Sequence, residues 1–495
     1  MTGKLHISCR QRQQTIIATE GDNLLDILRA EGFVVSAPCG GFGICKKCIV
    51  LTYKGALLAC KTIITKDFFD TEIYVSTNNK MQILDAYENL YPVKCNRNIS
   101  PPYGIAIDIG TTTLAFELLD MINGIRIASY SQMNSQRDFG ADVMTRITNA
   151  VNGAQAKLNA YIIKDICDGI LHIINSSGLG TNDISLVTIS GNTTMLHLLQ
   201  NMPCDALGVA PFTPVCTHMK ITSFKKLLSN DLLSCNVIIL PGISTFVGAD
   251  ITAGLLCANW PHVSGNNILI DLGTNGEMAF FSADKIITTS TAAGPAFEAG
   301  NISMGMGSVS GAIAKASYLP DSHVFDCVTI GNALPIGICG TGVIDISAEL
   351  IKNNLVDETG YIVSDEPSVH ITSDIHFTQN DIREIQLAKA AVRAGIEVLL
   401  DIAGTSYQEL TNVFIAGGFG HKINLQNAAN LGLIPSEFTD KVISLGNSSL
   451  GGCARVLLSS TAEADILKLV KVSQEVNLAT HPKFNELFIN YMGME

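Results

Sequence analysis

Two segments of this chain repeat one pattern, and the repeat limits the folds that the sequence can adopt. Each segment is an apolar strand followed by an aspartate, a glycine and then hydroxyl or amide residues. The first is Ile105–Thr113, with Asp108 before its glycine, and the second is Leu269–Glu277, with Asp271 in the same place. Copies of one strand-and-turn unit 163 residues apart predict a duplicated half-domain.

The sequence around these two segments alternates apolar strands with helices, which is the pattern of an α/β fold. The clearest buried strands are predicted at Gly104–Ile109, Leu186–Ser190, Val237–Leu240, Ile268–Leu272 and Val413–Ala416. The clearest helices are predicted at Ala154–Ile174, Gln386–Ile402 and Ala462–Val470. We therefore predict one lobe over residues 101–265 and a second over residues 266–495, which ends in helices.

The first 78 residues do not follow this α/β pattern, and they predict a separate small domain. A hairpin is expected between Ile7 and Ile17, and Asp22 is expected to cap a helix that runs to Arg29. A cysteine loop and two short strands follow. A strand pair, a helix and a metal loop predict an α+β unit of the β-grasp ferredoxin type over residues 1–78. Residues 79–100, which end before Pro101-Pro102, are predicted to be a linker.

Four cysteines in this small domain have the spacing of an iron–sulfur site. Cys39, Cys45 and Cys48 share one glycine-bearing loop, and eleven residues separate Cys48 from Cys60. The C-x5-C-x2-C spacing is close to the plant-type pattern of C-x4-C-x2-C with a distant fourth cysteine, which holds a 2Fe–2S cluster. The alternative is a structural zinc site, but zinc prefers two separate C-x2-C pairs and only one close pair is present. The eleven-residue spacing is also shorter than ferredoxins of this type usually have.

The two repeated turns have the residue types of a phosphate site. A glycine after each aspartate permits a sharp turn, and the following hydroxyls and N–H groups can line an anionic oxygen. Asp108 and Asp271 are the candidates for the Mg²⁺ side, because that ion prefers oxygen ligands. The candidates for the phosphate side are Thr111, Thr112, Thr113, Gly273, Thr274 and Asn275.

A third glycine loop, Gly417-Gly418-Phe419-Gly420, follows a strand and allows close approach of a flat adenine and its ribose. Further candidates are Asn192, for phosphate, and Glu298, for positioning a water molecule or Mg²⁺. His197 lies in an apolar helical stretch and is expected to be a core histidine, whereas His421 follows the glycine loop and is a weaker nucleotide candidate.

These motifs resemble a known ATPase superfamily that includes sugar kinases, actin and chaperone ATPases. The resemblance rests on the two phosphate motifs, at residues 108–113 and 271–277, and on the adenosine motif at 417–420. It implies a duplicated ribonuclease-H-like fold. An N-terminal plant-type ferredoxin joined to such an ATPase is similar to the ATP-dependent reductive activators of corrinoid proteins. Further segments that look like that family are Ser190–Met195, Gly294–Glu298, Gly337–Gly342 and Gly451–Ala454.

The resemblance implies a function as well as a fold. Members reduce the inactive cob(II) form of a corrinoid protein to cob(I), with a 2Fe–2S cluster, ATP and Mg²⁺ as cofactors. The expected partners are a corrinoid protein of a methyltransferase system and an upstream electron donor, and a homodimer is left open. Longer members carry an extra domain between ferredoxin and ATPase, where this chain has only the linker.

Other functional classes stay open at this point. A sugar-kinase-like phosphotransferase would need a general base near a sugar pocket, which the sequence does not identify. An iron–sulfur sensor or scaffold would use the ATPase as a binding switch. An activator of another low-potential enzyme, such as a dehydratase, is a further alternative, although such activators usually share a 4Fe–4S cluster whose cysteine arrangement is absent here.

Charge and hydropathy exclude some partners. The net charge of −13 argues against nucleic acid. Residues 1–78 carry nine Lys and Arg against seven Asp and Glu, so the rest of the chain carries −15, and the small basic domain could dock on an acidic surface. No apolar run approaches the ~20 residues of a membrane span, and the N-terminus has no signal-peptide pattern. We therefore expect a cytoplasmic protein with free thiols.

Overall fold

The computed structural model describes most of the chain, namely residues 1–9, 12–33, 35, 37, 41, 43, 48–52, 55–75, 95–97, 99–364, 366–417 and 423–494. Some of the predicted site residues lie outside this part of the chain: Cys39, Cys45, Gly418, Phe419 and Gly420. His421 and most of the predicted linker also lie outside it. The predictions for these residues stay predictions.

The chain divides into two compact units. The first unit consists of Met1–Asn79, Met133–Ile166 and His197–Val215, and the second of Lys80–Gln132, Cys167–Leu196 and Cys216–Glu495. Two segments that the sequence assigned to the first lobe therefore cluster with the N-terminal residues.

The N-terminal part of the first unit is a five-stranded mixed sheet with one helix. Its elements are β1 (Thr2–Cys9), β2 (Arg12–Thr19), α1 (Leu24–Ala30), β3 (Ile49–Thr52), β4 (Gly55–Leu58) and β5 (Glu72–Val75). The strand order is β2-β1-β5-β3-β4, with β1 and β5 parallel and the other pairs antiparallel. Buried Leu5, Ile7, Leu24 and Leu28 form the centre of its core. The arrangement is of the α+β class, and the assignment of residues 1–78 to a β-grasp ferredoxin stays a prediction.

The start of α1 differs by one residue from the prediction. Asn23 caps the helix, because its side-chain oxygen accepts the N–H of Leu25 at 2.9 Å. Asp22 instead accepts the N–H of Thr19 at 2.8 Å and closes the turn after β2. Aspartate and asparagine are almost equally good caps, so adjacent residues of these types leave the sequence unable to choose between them.

The next part of the chain begins the larger α/β fold. Its elements are β6 (Tyr103–Ile109), β7 (Thr113–Asp120), β8 (Ile125–Met133), α2 (Val143–Asn149), α3 (Gln155–Ser176), β9 (Ile184–Gly191), α4 (Thr193–Leu199), β10 (Lys220–Ser223), α5 (Phe224–Leu228), β11 (Asn236–Ile239) and α6 (Ala249–Cys257). The strands form a six-stranded sheet in the order β10-β11-β9-β6-β7-β8.

The remaining elements form a second, similar half. They are β12 (Asn266–Leu272), β13 (Gly276–Phe281), β14 (Ile286–Thr291), β15 (Ala312–Leu319), β16 (Val324–Thr329), β17 (Gly337–Ile338), α7 (Gly340–Lys352), β18 (Ser368–His370), β19 (His376–Thr378), α8 (Gln379–Ala403), β20 (Leu410–Ala416), α9 (Leu425–Asn430), β21 (Val442–Gly446), α10 (Ser448–Leu458), α11 (Ser460–Val472), β22 (Ser473–Glu475) and α12 (Phe484–Asn490). Its main sheet has the order β21-β20-β12-β13-β14-β22.

The two large sheets have the same topology. The shared part is a five-stranded core that leaves out the edge strands β10 and β22. In each core, the first strand pairs antiparallel with the second and parallel with the fourth, which pairs parallel with the fifth. These roles belong to β6, β7, β9 and β11 in the first sheet and to β12, β13, β20 and β21 in the second. The duplication predicted from the two repeated segments is thus confirmed, and Asp108 and Asp271 occupy equivalent positions.

Alternating side chains of the second sheet serve two separate cores. Ile268 and Ile270 of β12 join the core formed with α7 and α8, whereas Leu269 joins the core formed with α6. Successive side chains of a strand point to opposite faces, so a strand covered on both sides must be apolar throughout. This explains why β12 has an uninterrupted apolar run before Asp271.

Helices α6 and α10 pack against each other at very short range. A Cβ atom on Gly452 of α10 would lie 2.1 Å from the carbonyl oxygen of Ala253 in α6. Only glycine permits such an approach without moving one of the helices, and forcing extra volume into a packed interface costs about 1–3 kcal/mol. Helix α6 follows the first sheet and α10 follows the second, so this contact fixes one half of the fold on the other.

Candidate functional site

The two repeated turns form equivalent three-residue loops. Residues 110–112 join β6 to β7, and residues 273–275 join β12 to β13. In the first loop the N–H of Gly110 donates to the carbonyl oxygen of Thr113 at 2.9 Å, and in the second the N–H of Gly273 donates to that of Asn275 at 3.1 Å. The glycine N–H therefore closes a tight turn in both halves, with its acceptor three residues ahead in the first loop and two residues ahead in the second.

Carboxylates crowd together where these strands end. Asp271 is half-buried, and burial together with the negative charges of Asp250, Asp108 and Glu298 raises its pKa to about 8. Burial and the neighbouring Asp108 raise the pKa of Asp250 to about 7. Burial, followed by Asp250 and Asp271, also raises the pKa of Glu277 well above its usual range. Like charges at close range disfavour ionisation, so the carboxylate cluster resists carrying its full negative charge.

Asp108 differs from Asp271 in having strong hydrogen-bond donors. The amide of Asn447 donates to its Oδ2 at 3.0 Å, and the hydroxyl of Ser449 donates to its Oδ1 at 2.6 Å. Burial raises the pKa of Asp108, and these two bonds oppose that rise. A hydrogen bond to a charged group is worth about 1.5–3 kcal/mol, so Asn447 and Ser449 favour the ionised carboxylate.

Asn192 connects the first loop with the start of α4. Its side-chain amide donates to the hydroxyl of Thr111 at 3.0 Å, while its side-chain oxygen accepts the N–H of Met195 at 2.9 Å. A Cβ atom on Gly248, two residues before Asp250, would lie 2.7 Å from the Cα of Asn192. The predicted phosphate residue Asn192 therefore lies beside the first loop and close to the segment that carries Asp250.

Glu298 lies against the second loop. It ends a short 3-10 helix, Pro295–Glu298, and its Oε2 accepts the hydroxyl of Thr274 at 2.9 Å. Desolvation of the carboxylate raises the pKa of Glu298, although the residue as a whole is exposed, and the hydrogen bond from Thr274 opposes that rise. Thr274 is therefore already bonded to a carboxylate, which a phosphate oxygen would have to replace or share.

Gly417 is the one described residue of the third glycine loop. Its φ of +101° is in the left-handed region, and a Cβ atom there would lie 2.9 Å from Oδ1 of Asp271. Glycine is needed on both grounds, because other residues rarely adopt this φ and have no room beside the carboxylate. The start of the predicted adenosine loop thus lies directly against the predicted metal-side aspartate.

The donor set suits a magnesium–polyphosphate complex. Mg²⁺ is usually held through one or two carboxylates, several waters and substrate phosphates, without a complete protein cage. In the part of the chain that the structure describes, no three His, Cys, Asp or Glu side chains form a ready metal site. Clustered carboxylates with raised pKa values, next to two turns that can line anionic oxygens, fit a cation that arrives together with phosphate.

Two of the four predicted cluster cysteines, Cys48 and Cys60, lie in the described part of the chain, and they converge. Strands β3 and β4 form a hairpin in which Ile49 pairs with Leu58. This pairing brings together Cys48, one residue before Ile49, and Cys60, two residues after Leu58. Both are buried, and their sulfur atoms are 3.1 Å apart. Two convergent thiols fit half of the ligand set of a 2Fe–2S cluster, and the other half, Cys39 and Cys45, falls outside the described residues.

Several site residues were not identified from the sequence. Asp250 and Glu277 join the carboxylate cluster, and Asn447 and Ser449 hold Asp108. The signal for Asp250 is a glycine and an acid at the start of a helix that follows a parallel strand. Asn447 and Ser449 are more than 300 residues from Asp108 and give no signal of proximity in the sequence.

Three other predicted residues have simple positions. Thr112 and Thr113 lie in the first loop and at the start of β7, and their predicted contact with phosphate stays a prediction. His197 is fully buried and its Nε2 accepts the N–H of Val215 at 3.0 Å, so it is a core histidine as predicted.

No helix in the described part of the chain has the length and apolarity that crossing a membrane requires.

Comparison with known families gives two matches that together cover most of the chain. Residues 265–495 match a family model described as the C-terminal domain of RACo, the ASKHA domain, and residues 103–261 match the RACo middle region. The second match falls on the segment that the sequence assigned to the first lobe. The first match, with the duplicated topology, confirms the actin-like and sugar-kinase-like fold.

Two named relatives and one solved structure are similar to this chain over most of its length. The chain is 33% identical over 454 residues to the corrinoid activation enzyme RamQ of Eubacterium limosum, covering 83% of this chain and 75% of that protein. It is 25% identical over 420 residues to a [Co(II) methylated amine-specific corrinoid protein] reductase of Methanosarcina barkeri, covering 78% and 76%. A solved reductive activator for a corrinoid iron–sulfur protein superposes with a TM-score of 0.72 at 24% identity, covering 99% and 98%.

The crowding of carboxylates predicts how stability depends on pH. The folded-state pKa of Asp271, about 8, lies above the ordinary 3.8, so its contribution to stability is present at low pH and is lost as the pH rises toward 8. Asp271→Asn should therefore make the nucleotide-free protein more stable than wild type at pH 8, by about 1–2 kcal/mol after screening by solvent in the cleft. The advantage should shrink at pH 5.

Urea unfolding at pH 5 and pH 8, with a metal chelator present, measures this difference. Asp284→Asn is the matched control, because Asp284 lies in an exposed turn of the same sheet, between β13 and β14. The effect of Asp284→Asn on the free energy of unfolding should be the same at pH 5 and pH 8. If Asp271→Asn changed the free energy of unfolding equally at both pH values, the repulsion among the carboxylates would be contradicted.

Proposed function

The chain belongs to the RACo family, and on that basis we propose that it is a reductive activator of a corrinoid protein. It reduces the inactive cob(II) form of that protein to cob(I) by one-electron transfer, with ATP driving the uphill step. The observation that carries the proposal is the 33% identity to a corrinoid activation enzyme over 83% of the chain, together with the carboxylate-lined site between duplicated halves. The partner is a corrinoid protein, and an upstream donor supplies the electrons.

A nucleotide requirement follows from the energetics of the electron transfer. Plant-type clusters work near about −400 mV. Reducing cob(II) demands a still lower potential, and every ~59 mV of a one-electron uphill transfer lowers the equilibrium constant tenfold. A ligand can offset such a cost only by stabilising one conformation of the protein over another. The ATPase fold supports ATP as that ligand.

The residues of the carboxylate site have distinct tasks in this proposal. Asp271 and Asp250 would hold Mg²⁺, whose charge would offset the repulsion between the two carboxylates. Asp108, whose ionised form is favoured by the hydrogen bonds from Asn447 and Ser449, would be the third carboxylate available to the cation. Bound Mg²⁺ and ATP supply the charge compensation and the hydrolysable phosphoanhydride.

Two loops and one carboxylate complete the nucleotide site. The hydroxyls and N–H groups of residues 110–112 and 273–275 hold phosphate oxygens. Glu298, which is bonded to Thr274, orients a water molecule near the second loop. Gly417 and the glycine loop that it begins accommodate the adenosine.

The N-terminal domain is the electron carrier in this proposal. Cys48 and Cys60, with Cys39 and Cys45, are the ligands of a 2Fe–2S cluster that supplies one electron at a time. Cys48 and Cys60 are buried, which limits the access of water to their sulfur atoms. The side-chain amide of Asn23 donates to the carbonyl oxygen of Cys60 at 3.0 Å and fixes that end of the hairpin against α1.

Cobalt reduction that depends on ATP tests the proposed function directly. Anaerobic wild-type protein, chemically reduced and mixed with Mg²⁺, ATP and a corrinoid methyltransferase protein, should convert cob(II) to cob(I), seen in the cobalt absorbance. Asp271→Asn should lower both ATP hydrolysis and ATP-dependent reduction at least 100-fold, because the cation site loses a charge. Asp284→Asn should retain both. Reduction that proceeds equally without ATP would contradict the proposal, and hydrolysis without reduction for every candidate corrinoid protein would favour a sensor or switch.

The electron carrier has a separate test that needs no partner. Cys60→Ser should lose at least half of the iron and acid-labile sulfide of the anaerobically purified protein, because a hydroxyl is a poor ligand for this cluster. Cys235→Ala is the matched control, since Cys235 is buried and burial raises the pKa of its thiol to about 12. The control should keep the wild-type iron content. Wild-type protein with zinc in place of iron and sulfide would show that the four cysteines form a structural site.

A further inference from the structure

The end of the linker is bonded to the corner between helices α10 and α11. Helix α10 ends at Leu458 and α11 begins at Ser460, and we refer to residues 456–463 as the α10–α11 corner. The linker residues that contact it, Asn96 and Arg97, are termed the linker anchor. They lie more than 350 residues away in the sequence and are the last part of the chain before the first large sheet begins.

Asn96 satisfies backbone groups on both sides of the corner. Its side-chain oxygen accepts the N–H of Ser460 at 2.8 Å and the hydroxyl of Ser460 at 3.1 Å. Its own N–H donates to the carbonyl oxygen of Leu458 at 3.3 Å. The first N–H groups and last C=O groups of a helix have no partner within the helix, so Asn96 supplies partners that two consecutive helix ends lack.

Arg97 bridges the same two helices. Its Nε and Nη2 atoms donate to the carbonyl oxygen of Val456, in the last turn of α10, at 3.2 and 2.9 Å. Nη2 also pairs with Glu463 in the first turn of α11. The side chains of Arg97 and Glu463 are only 11% and 22% exposed, so solvent screens this ion pair weakly. A cation at a helix C-terminus and an acid at an N-terminus both agree with the helix dipoles.

The other end of α10 holds the first aspartate of the nucleotide site. Asn447 is the N-cap of α10: its oxygen accepts the N–H of Leu450, and its amide donates to Asp108. Ser449, in the first turn, also donates to Asp108. Apart from Arg455, every residue of α10 is buried. The helix spans eleven residues, or about 16 Å, and its packing on α6 leaves it little freedom to bend.

We propose that Asn96 and Arg97 are positioning residues that couple the nucleotide site to the linker. A change in the surroundings of Asp108 acts on Asn447 and Ser449, α10 moves as a rigid body, and the corner carries the linker anchor with it. The linker joins the N-terminal domain to this point, so the anchor controls when that domain can deliver its electron. The inference rests on the proposed function and adds the route by which the nucleotide governs electron delivery.

Amide hydrogen exchange tests the coupling without any corrinoid protein. The amides of Asn96 and Ser460 report on the anchor directly, because both take part in its hydrogen bonds. In the full-length wild type, a non-hydrolysable ATP analogue with Mg²⁺ should change their exchange rates at least threefold. In Arg97→Ala both amides should exchange faster and should no longer respond to the nucleotide.

A matched control separates this role from general stabilisation. Arg393→Ala removes another weakly exposed ion pair, between Arg393 and Glu397 of α8, whose side chains are 16% and 18% exposed. This pair does not belong to the α10–α11 corner. The control variant should keep the nucleotide response at Asn96 and Ser460, even if its unfolding midpoint falls as much as that of Arg97→Ala.

A second experiment compares ATP hydrolysis with ATP-dependent cobalt reduction in the same variants. Arg97→Ala should keep ATP hydrolysis within twofold of wild type and lower ATP-dependent cobalt reduction at least fivefold. Arg97→Lys, which keeps the charge and can reach Val456 or Glu463, should recover at least half of the lost rate. Arg393→Ala should retain both activities.

The outcomes distinguish the inference from the proposed function. Wild-type amides that exchange equally with and without the analogue would overturn the coupling, and so would Arg97→Ala that reduces cobalt at the wild-type rate. If wild-type protein showed no ATP-dependent cobalt reduction, the proposed function would fail. The exchange experiment would still decide whether nucleotide binding reaches the linker anchor.

Discussion

The repulsion among carboxylates at the ends of the central strands is the constraint on which the rest of the structure depends. Asp271, Asp250 and Glu277 have raised pKa values because burial and mutual repulsion both disfavour ionisation. A fold tolerates such a cluster when a cation is its natural occupant. The close approach of α6 and α10 at Gly452 keeps the two halves, and therefore the acids, together without that cation. In the proposed function, binding of a cation and nucleotide would remove this repulsion and stabilise the fold.

The fold could be predicted from the sequence because its largest regularity is local. The repeated strand–Asp–Gly turns predicted a duplication, and the two sheets share one topology. Strands with an uninterrupted apolar run, such as β12, were found because both of their faces are covered. Helix starts were harder, since α8 begins at Gln379, seven residues before the predicted Gln386. The capping box of Thr378 and Asp381 sets that start, and hydrophobic periodicity does not show it.

Only some residues of the candidate site could be predicted from the sequence, and the reason is physical. Asp108 and Asp271 stood out because the chain repeats their surroundings. Asn447 and Ser449 have no such marker, because their role arises only when α10 packs against β6 and β9. The contact between Arg97 and Val456 likewise arises from tertiary packing, and the spacing of the two residues in the sequence does not reveal it. Sequence patterns identify residues that act through a local turn, and tertiary contacts reveal those that act through a distant partner.

Proton release on nucleotide binding tests the central claim most directly. Titration calorimetry of a Mg²⁺–ATP analogue at pH 7.5, in buffers of different ionisation enthalpy, counts the protons exchanged on binding. Because Asp271 has a pKa of about 8, compensation of the crowded acids by Mg²⁺ should release protons, on the order of one per nucleotide bound. Asp271→Asn, if it binds at all, should release fewer. Binding heats that do not depend on the buffer would show that the carboxylates are already ionised, and would contradict the account.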